Sequence, residues 1–266
     1  MPGTEYDMDY TDYAYQVDQR KEAPEWEVLR RARKSHWDEF FSVRPGDRVL
    51  DAGCGQGDYT VWALEAGAEV WAFDYSQAMI DCTARRLERR GLSARELSLG
   101  TVTDMPYPDQ SFDAVFCLAV LDHLSPQDRQ AACNELARVL KPGGRLYLDV
   151  PNRLAYHWRA VFALMRLLGL YPAGKIHFFL PWELKAMVRG MGLEPMRSLG
   201  LTVCPPFSGI YTTDLRRLTI LPEAVIRPLD AFYLRLEGSL RRLPLVKPLC
   251  WHYFLEARKP TAPQGK

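Results

Sequence analysis

The chain has 266 residues, 47% of them apolar and 25% charged, with a formal net charge of +1 at pH 7. This composition excludes a disordered chain, a fibrous repeat and a globally basic nucleic-acid binder. The length suffices for one large α/β domain with a full core plus a modest appendage. The cysteines (Cys54, Cys82, Cys117, Cys133, Cys204 and Cys250) are scattered, with no CxxC pair and no histidine spacing that suits a metal, so they read as reduced and mostly buried. Residues 1–23 are acidic and tyrosine-rich and lack the apolar core of a secretion signal, so a cytoplasmic location is expected. The segment reads either as a tail or as a lid whose Tyr13 or Tyr15 closes over a ligand.

From Pro24 the pattern alternates. APEWEVLRRARKSHWDEFF carries Trp26, Leu29, Trp37, Phe40 and Phe41 among charges and predicts a helix that stops before RPGD. RVLDAG and EVWAFD are short apolar runs with helical sequence between them, and ELSLGTVTD, SFDAVFCLAV and GRLYLDV continue the series. HLSPQDRQAACNELARVLKPGG predicts a helix with Ser125 as N-cap and Pro126 in its first turn, ended by Pro142, Gly143 and Gly144. After Pro151 the rhythm loosens. AYHWRAVFALMRLLGLY and LPWELKAMVRGMGLEP predict helices, the second stopping around Gly190 or Gly192, while RSLGLTV and WHYFLEARKP predict strands. The run VFALMRLLGL is interrupted by Arg166 and falls short of the roughly 20 residues that cross a bilayer. Strands separated by helices imply an α/β, Rossmann-like, doubly wound fold: a mostly parallel seven-stranded sheet with helices on both faces. The expected organisation is a core over 24–204, a helical insertion or substrate cap over 205–248, and a last strand and tail over 249–266.

VLDAGCGQGDYT, residues 49–60, places Gly53, Gly55 and Gly57 where the first strand turns into a helix, and such a turn lets backbone approach a ligand closely. A dinucleotide fingerprint needs a glycine where Asp58 stands, and it would aim Asp51 and Asp58 at a pyrophosphate. A ligand without phosphate that carries positive charge suits this loop better, and S-adenosylmethionine is such a molecule. Asp74 ends the second strand, where an acid accepts from ribose hydroxyls. Asp104 follows the third, where it accepts from an adenine amine, with Met105 or Met79 on the ring face. Taken singly, each acid reads equally well as a helix cap or a solvated strand end.

VLDAGCGQG, VWAFDYSQAMI, VTDMPYPDQSFDAVFCLAVLDHL and LARVLKPGGRLYLDVPN, in that order, resemble the successive motifs of the class I S-adenosylmethionine-dependent methyltransferases, particularly the bacterial small-molecule branch with its ubiquinone- and menaquinone-pathway types. The resemblance covers about residues 35–152, and HFFLPWELKAMVRGMGLEP is similar to a later helix of that family. It implies that Asp51, Gly53 and Gly55 hold the methionine part, Asp74 the ribose and Asp104 the adenine. Tyr75 and Met105 would flank the base, with the backbone of Cys117 and Leu118 near the amino-acid end. Ubiquinone-pathway O-methyltransferases bind a divalent cation through an acid–histidine pair and an acid three residues earlier. Here Asp122 and His123 are present but the earlier position is Ala119, so no metal is expected.

Three histidines border the implied acceptor pocket: His123 after the fourth strand, His157 after the fifth and His177 before a late helix. Each reads as a base or orienting group, or as a packing residue. AVIRPLDAFYLRLEGSLRRLPLVKPL, within 205–248, joins leucines and aromatics to arginines, the composition of an interfacial helix or of a cap packed on its domain. It admits a lipid-like acceptor and a peripheral membrane contact. CLAVLDHL lacks the Asn-Pro-Pro-aromatic run of base-amine methylases, so nucleic acid is not an expected partner. The reading is methyl transfer to an oxygen of a small organic acceptor, with nitrogen and carbon as alternatives. Rival readings are a catalytically silent S-adenosylmethionine-binding partner or sensor, and a nicotinamide-dependent oxidoreductase.

Overall fold

The computed structural model describes residues 27–167, 176–202, 223–240 and 249–261, together with Leu243 and Val246. The N-terminal segment with Tyr13 and Tyr15, and residues 205–222 of the inserted stretch, lie outside the described residues. In chain order the elements are α1 (Glu27–Phe40), β1 (Arg48–Ala52), α2 (Asp58–Glu65), β2 (Glu69–Asp74), α3 (Gln77–Arg90), β3 (Glu96–Leu99) and β4 (Phe112–Leu118). There follow a 3-10 turn (Leu121–His123), α4 (Pro126–Val139), β5 (Leu140–Pro151), α5 (Tyr156–Leu167), α6 (Pro181–Gly190), β6 (Glu194–Leu201), α7 (Glu223–Leu240) and β7 (His252–Arg258).

The sheet has seven strands in the order β3-β2-β1-β4-β5-β7-β6. β1 to β5 run parallel, and β7 runs antiparallel to both β5 and β6. Helices return the chain between parallel strands because no tight turn can. The strand order reverses between β1 and β4, and ligands of such sheets bind beyond the carboxyl ends at that reversal.

Successive side chains point to opposite faces, so the sheet carries a core on each side. Leu50, Phe73, Val115, Leu146 and Leu148 join the cluster that α4 and α6 cover with Leu136, Leu184 and Val188. Val49, Phe116, Tyr147 and Phe254 face the other way, against Phe40 and Phe41 at the end of α1 and Trp62 of α2. Each such side chain contributes roughly 1.5–3 kcal/mol on burial.

The predicted helix over Ser125 to the glycines ends earlier than its sequence suggests. Ser125 caps it by accepting from the Asp128 amide, but the helix stops at Val139 and β5 begins at once with Leu140. The Pro-Gly-Gly run is an excursion within β5: Phe112 pairs with Leu140 and Ala114 with Arg145. Gly143, at φ +78°, donates its amide to the Lys259 carbonyl at 2.8 Å. Within the stretch read as an insertion, residues 223–240 form helix α7. Its buried Glu237 accepts the amide of Thr202, which fastens the helix to the end of β6.

Candidate active site

At the end of β1, Asp51 is 1% exposed and its carboxylate accepts the Thr60 hydroxyl at 2.6 Å. Burial pushes its pKa up to about 7; Asp74 and Asp58 add to the rise, and the Thr60 hydrogen bond opposes it. The chain then turns through Gly53, whose amide and that of Cys54 both donate to the Phe73 carbonyl at 2.9 Å. A Cβ on Gly53 would stand 2.5 Å from a methyl of Val120, so only glycine lets this loop touch the end of β4. Gly55, at φ +53°, has open space where a Cβ would be, and its amide donates to Asp74 Oδ2 at 2.8 Å.

Asp74 ends β2 with both oxygens fixed, since the Ser76 amide donates to Oδ1 at 2.9 Å. Burial raises its pKa while these amides oppose the rise. Each oxygen keeps a lone pair for a further donor. Asp58 is not aimed at a ligand as the motif suggests: it pairs with the nearly buried Arg86 of α3, which also donates to the Gln56 carbonyl. The case against a pyrophosphate therefore rests on Asp51 and Asp74. Gln56 adds a group that motif reading missed, for its side-chain Oε1 is buried with no hydrogen-bond partner among the described residues.

The remaining cofactor candidates divide. Tyr75 is 53% exposed beside Asp74, and Asp104 is exposed in a turn bridged to Thr101. Met79 is buried with Cys82 and Ala78, and Met105 is buried in the main core. Cys117 and Leu118 end β4, both buried. The loop, Asp51, Asp74 and the β4 end thus meet at the sheet reversal, whereas the two methionines belong to apolar clusters.

Beyond β4, the buried Asp122 lies 3.4 Å from His123 Nε2 through Oδ2, while its Oδ1 has no partner among the described residues. Burial raises its pKa, with His123 opposing. The His177 amide donates to the Asp122 carbonyl at 2.9 Å, and its ring meets Phe179 edge-on at 4.6 Å. Burial, with Arg129 and Arg153 nearby, lowers the His177 pKa, which favours a neutral ring. His157 falls in the first turn of α5, but its side chain lies outside the described residues. Among the described residues, no three His, Cys, Asp or Glu side chains gather as a metal site. Sequence reading also passed over Asp149 and His252: the imidazole Nδ1 lies 3.0 Å from Asp149 Oδ2. Nothing in WHYFLEARKP marks that pairing, because the two residues are 103 positions apart.

The groups gathered at this edge accept hydrogen bonds: carboxylates of Asp51, Asp74 and Asp122, and the unpartnered Gln56 oxygen. A phosphate would meet like charge there. S-adenosylmethionine fits, because its ammonium, sulfonium and ribose hydroxyls present positive charge and donors to those same atoms.

Comparison with known proteins agrees. A family model described as a methyltransferase domain matches residues 50–148. The chain is 34% identical to the ubiquinone biosynthesis O-methyltransferase of Azoarcus sp. (strain BH72) over 64% of its own length and 73% of that relative's. It is 36% identical to the methyltransferase GfsG of Streptomyces halstedii, but spans only 39% of that protein. Among solved structures, the [4+2]-cyclase SpnF superposes with a TM-score of 0.56 at 21% identity, covering 87% of this chain and 81% of that one. That likeness speaks for the fold alone.

Proposed function

The chain belongs to the class I S-adenosylmethionine-dependent methyltransferases of the bacterial small-molecule type, and we propose that it moves the methyl group to an oxygen of a small organic acceptor. When bound, S-adenosylmethionine supplies a methyl carbon already activated by its sulfonium. The protein's work is then alignment, exclusion of water and handling of one proton. Asp74, held in place by two backbone amides, takes the ribose hydroxyls without reorganising. Asp51, Gly53, Gly55 and the free Gln56 oxygen take the methionine end; Asp104 and Tyr75 take the adenine end. The observation that carries the oxygen reading is the 34% identity to an O-methyltransferase across 73% of its length. An imidazole at the carboxyl edge of the sheet, that of His252 beside Asp149, supports it, since a hydroxyl acceptor must lose its proton to become a good nucleophile whereas a neutral amine is one already.

The acceptor reads as hydrophobic. Among the described residues, α7 exposes Val225, Phe232 and Leu236, and α5 exposes Tyr156, Leu164 and Leu167. Apolar faces on helices beside a site suit a lipid-like substrate or a peripheral membrane contact. No described helix is long and apolar enough to cross a membrane, and we place the reaction in the cytoplasm. The test is to incubate the protein with methyl-labelled S-adenosylmethionine and host extract, then separate organic and aqueous phases. Label in the organic phase is expected; label confined to the aqueous phase would move the search to polar metabolites.

A further inference from the structure

Methyl transfer to a hydroxyl leaves one proton without a destination, and the buried carboxylate of Asp149 has no part in cofactor binding. Asp149, on β5, is 2% exposed, and a charge so buried persists only with a partner. That partner is His252, the first residue of β7, whose Nδ1 lies 3.2 and 3.0 Å from the two carboxylate oxygens. A ring nitrogen facing a buried carboxylate carries a proton and donates it, which leaves Nε2 as the lone-pair nitrogen of the neutral ring. Among the described residues Nε2 has no hydrogen-bond partner, and the side chain is 30% exposed at the carboxyl edge of the sheet.

The pair joins the cofactor loop through a short series of contacts. Gly53 abuts Val120; the neighbouring Ala119, at φ +54°, donates its amide to the Asp149 carbonyl at 3.1 Å. Leu118 pairs with Asp149 across the sheet, and His252 pairs with Pro151 at the last position of β5. Adjacent strands lie about 4.8 Å apart, so β5 sits about 10 Å and β7 about 14 Å from β1, and the His252 ring reaches back from β7 to Asp149 of β5, towards the space of a small molecule laid beside the cofactor. On the other side His252 pairs with Leu201 of β6, next to the Thr202 amide that fastens α7. The imidazole therefore stands between the methyl-donor loop and the helix we read as covering the acceptor.

Resting on the oxygen-acceptor reading, we propose that His252 is the general base that takes the acceptor's hydroxyl proton, and that Asp149 is the positioning residue that fixes its tautomer. As the acceptor's O–H bond breaks, its proton forms an N–H bond at Nε2. The oxygen's electron pair forms the new C–O bond to the methyl carbon, whose former bonding pair stays on the departing sulfur. The imidazolium is held by Asp149 until its proton passes to water. His123 and His177 remain packing or orienting groups.

The test uses the full chain, host metabolite extract and S-adenosylmethionine carrying 13C in its methyl group, with the product's carbon resonance reporting which atom received the methyl. Loss of a general base costs about 100-fold or more in rate. That slowing is expected for both His252→Ala and His252→Gln, with cofactor affinity unchanged and added imidazole restoring part of the rate in the alanine variant. Independently of any acceptor, 15N NMR of the ligand-free protein is expected to find the neutral His252 ring protonated on Nδ1. Asp149→Asn is expected to shift that proton to Nε2 by offering an amide donor. An O-methyl product made by His252→Ala at the wild-type rate, or a wild-type ring protonated on Nε2, overturns the assignment. A wild-type product methylated on nitrogen or carbon overturns the oxygen reading itself, and this inference with it.

Discussion

Asp51 is a carboxyl almost wholly buried beside two other acids, with the hydroxyl and amide of Thr60 as the hydrogen bonds that oppose the rise in its pKa. Its pKa of about 7 in the folded chain exceeds the ordinary 3.8, so the folded state holds the proton more tightly than the unfolded one. Stability from this residue is therefore full below the ordinary value and is lost as pH rises through about 7. Asp51→Asn keeps an acceptor for Thr60 and removes the buried charge. It is expected to stabilise the ligand-free protein by on the order of 2–4 kcal/mol at pH 8, and by little near pH 4. Chemical denaturation at the two pH values reads the difference; an equal effect at both would show that burial of charge is not what Asp51 costs. Asp74 makes the complementary case. Asp74→Ala is expected to weaken S-adenosylmethionine binding by about 1–3 kcal/mol in calorimetry, and unchanged affinity would remove Asp74 from the site. Both acids were legible in the sequence because each ends an apolar run beside the glycine loop. Asp149 with His252 was not, because register across an antiparallel strand pair leaves no trace in local spacing.

At the scale of elements, the strand–helix alternation was readable because β1, β2, β4 and β5 are parallel and largely buried, which writes each of them with a short apolar run, while β3 is the half-exposed edge of the same sheet. The exceptions have local causes. LARVLKPGG carries its helix-stop residues three to five positions after the real stop at Val139, since Leu140 is recruited to pair with Phe112. The Pro-Gly-Gly turn then serves the strand rather than the helix. Asp58, placed by motif near a ligand, is claimed instead by Arg86 from α3, a helix-to-helix pairing that sequence spacing does not announce. The meeting of the glycine loop and the β4 end supplies a sharper test. Gly53→Ala sets a Cβ against Val120 and strains a backbone at φ +88°, and is expected to cost about 1–3 kcal/mol. Val120→Ala should relieve the clash but not the backbone strain, so the double variant is expected to recover only part of the loss. Full recovery would mean that the positive φ at Gly53 carries no cost.

The whole molecule places the glycine loop at the sheet reversal and an imidazole–carboxylate pair on β5 and β7, the next two strands beyond β4, with α7 fastened to the end of β6. Its acid-lined edge suits a cation. Saturation with S-adenosylmethionine at about 100 times Kd is expected to add about 2.7 kcal/mol to stability, while NADH adds none. Stabilisation by NADH instead would revive the oxidoreductase reading. Motifs made the cofactor legible because its recognition is concentrated in short loops. The acceptor was not, because the groups we propose around it, at the ends of β4, β5 and β7, lie far apart in the chain and are brought together only by the fold.

The most direct measurement of the central claim is transfer of label from methyl-labelled S-adenosylmethionine by the full chain into the low-molecular-weight fraction of host extract. A labelled small product is expected, with one S-adenosylhomocysteine formed for each methyl transferred. Label that stays with macromolecules, or cofactor that binds without being consumed, would contradict it.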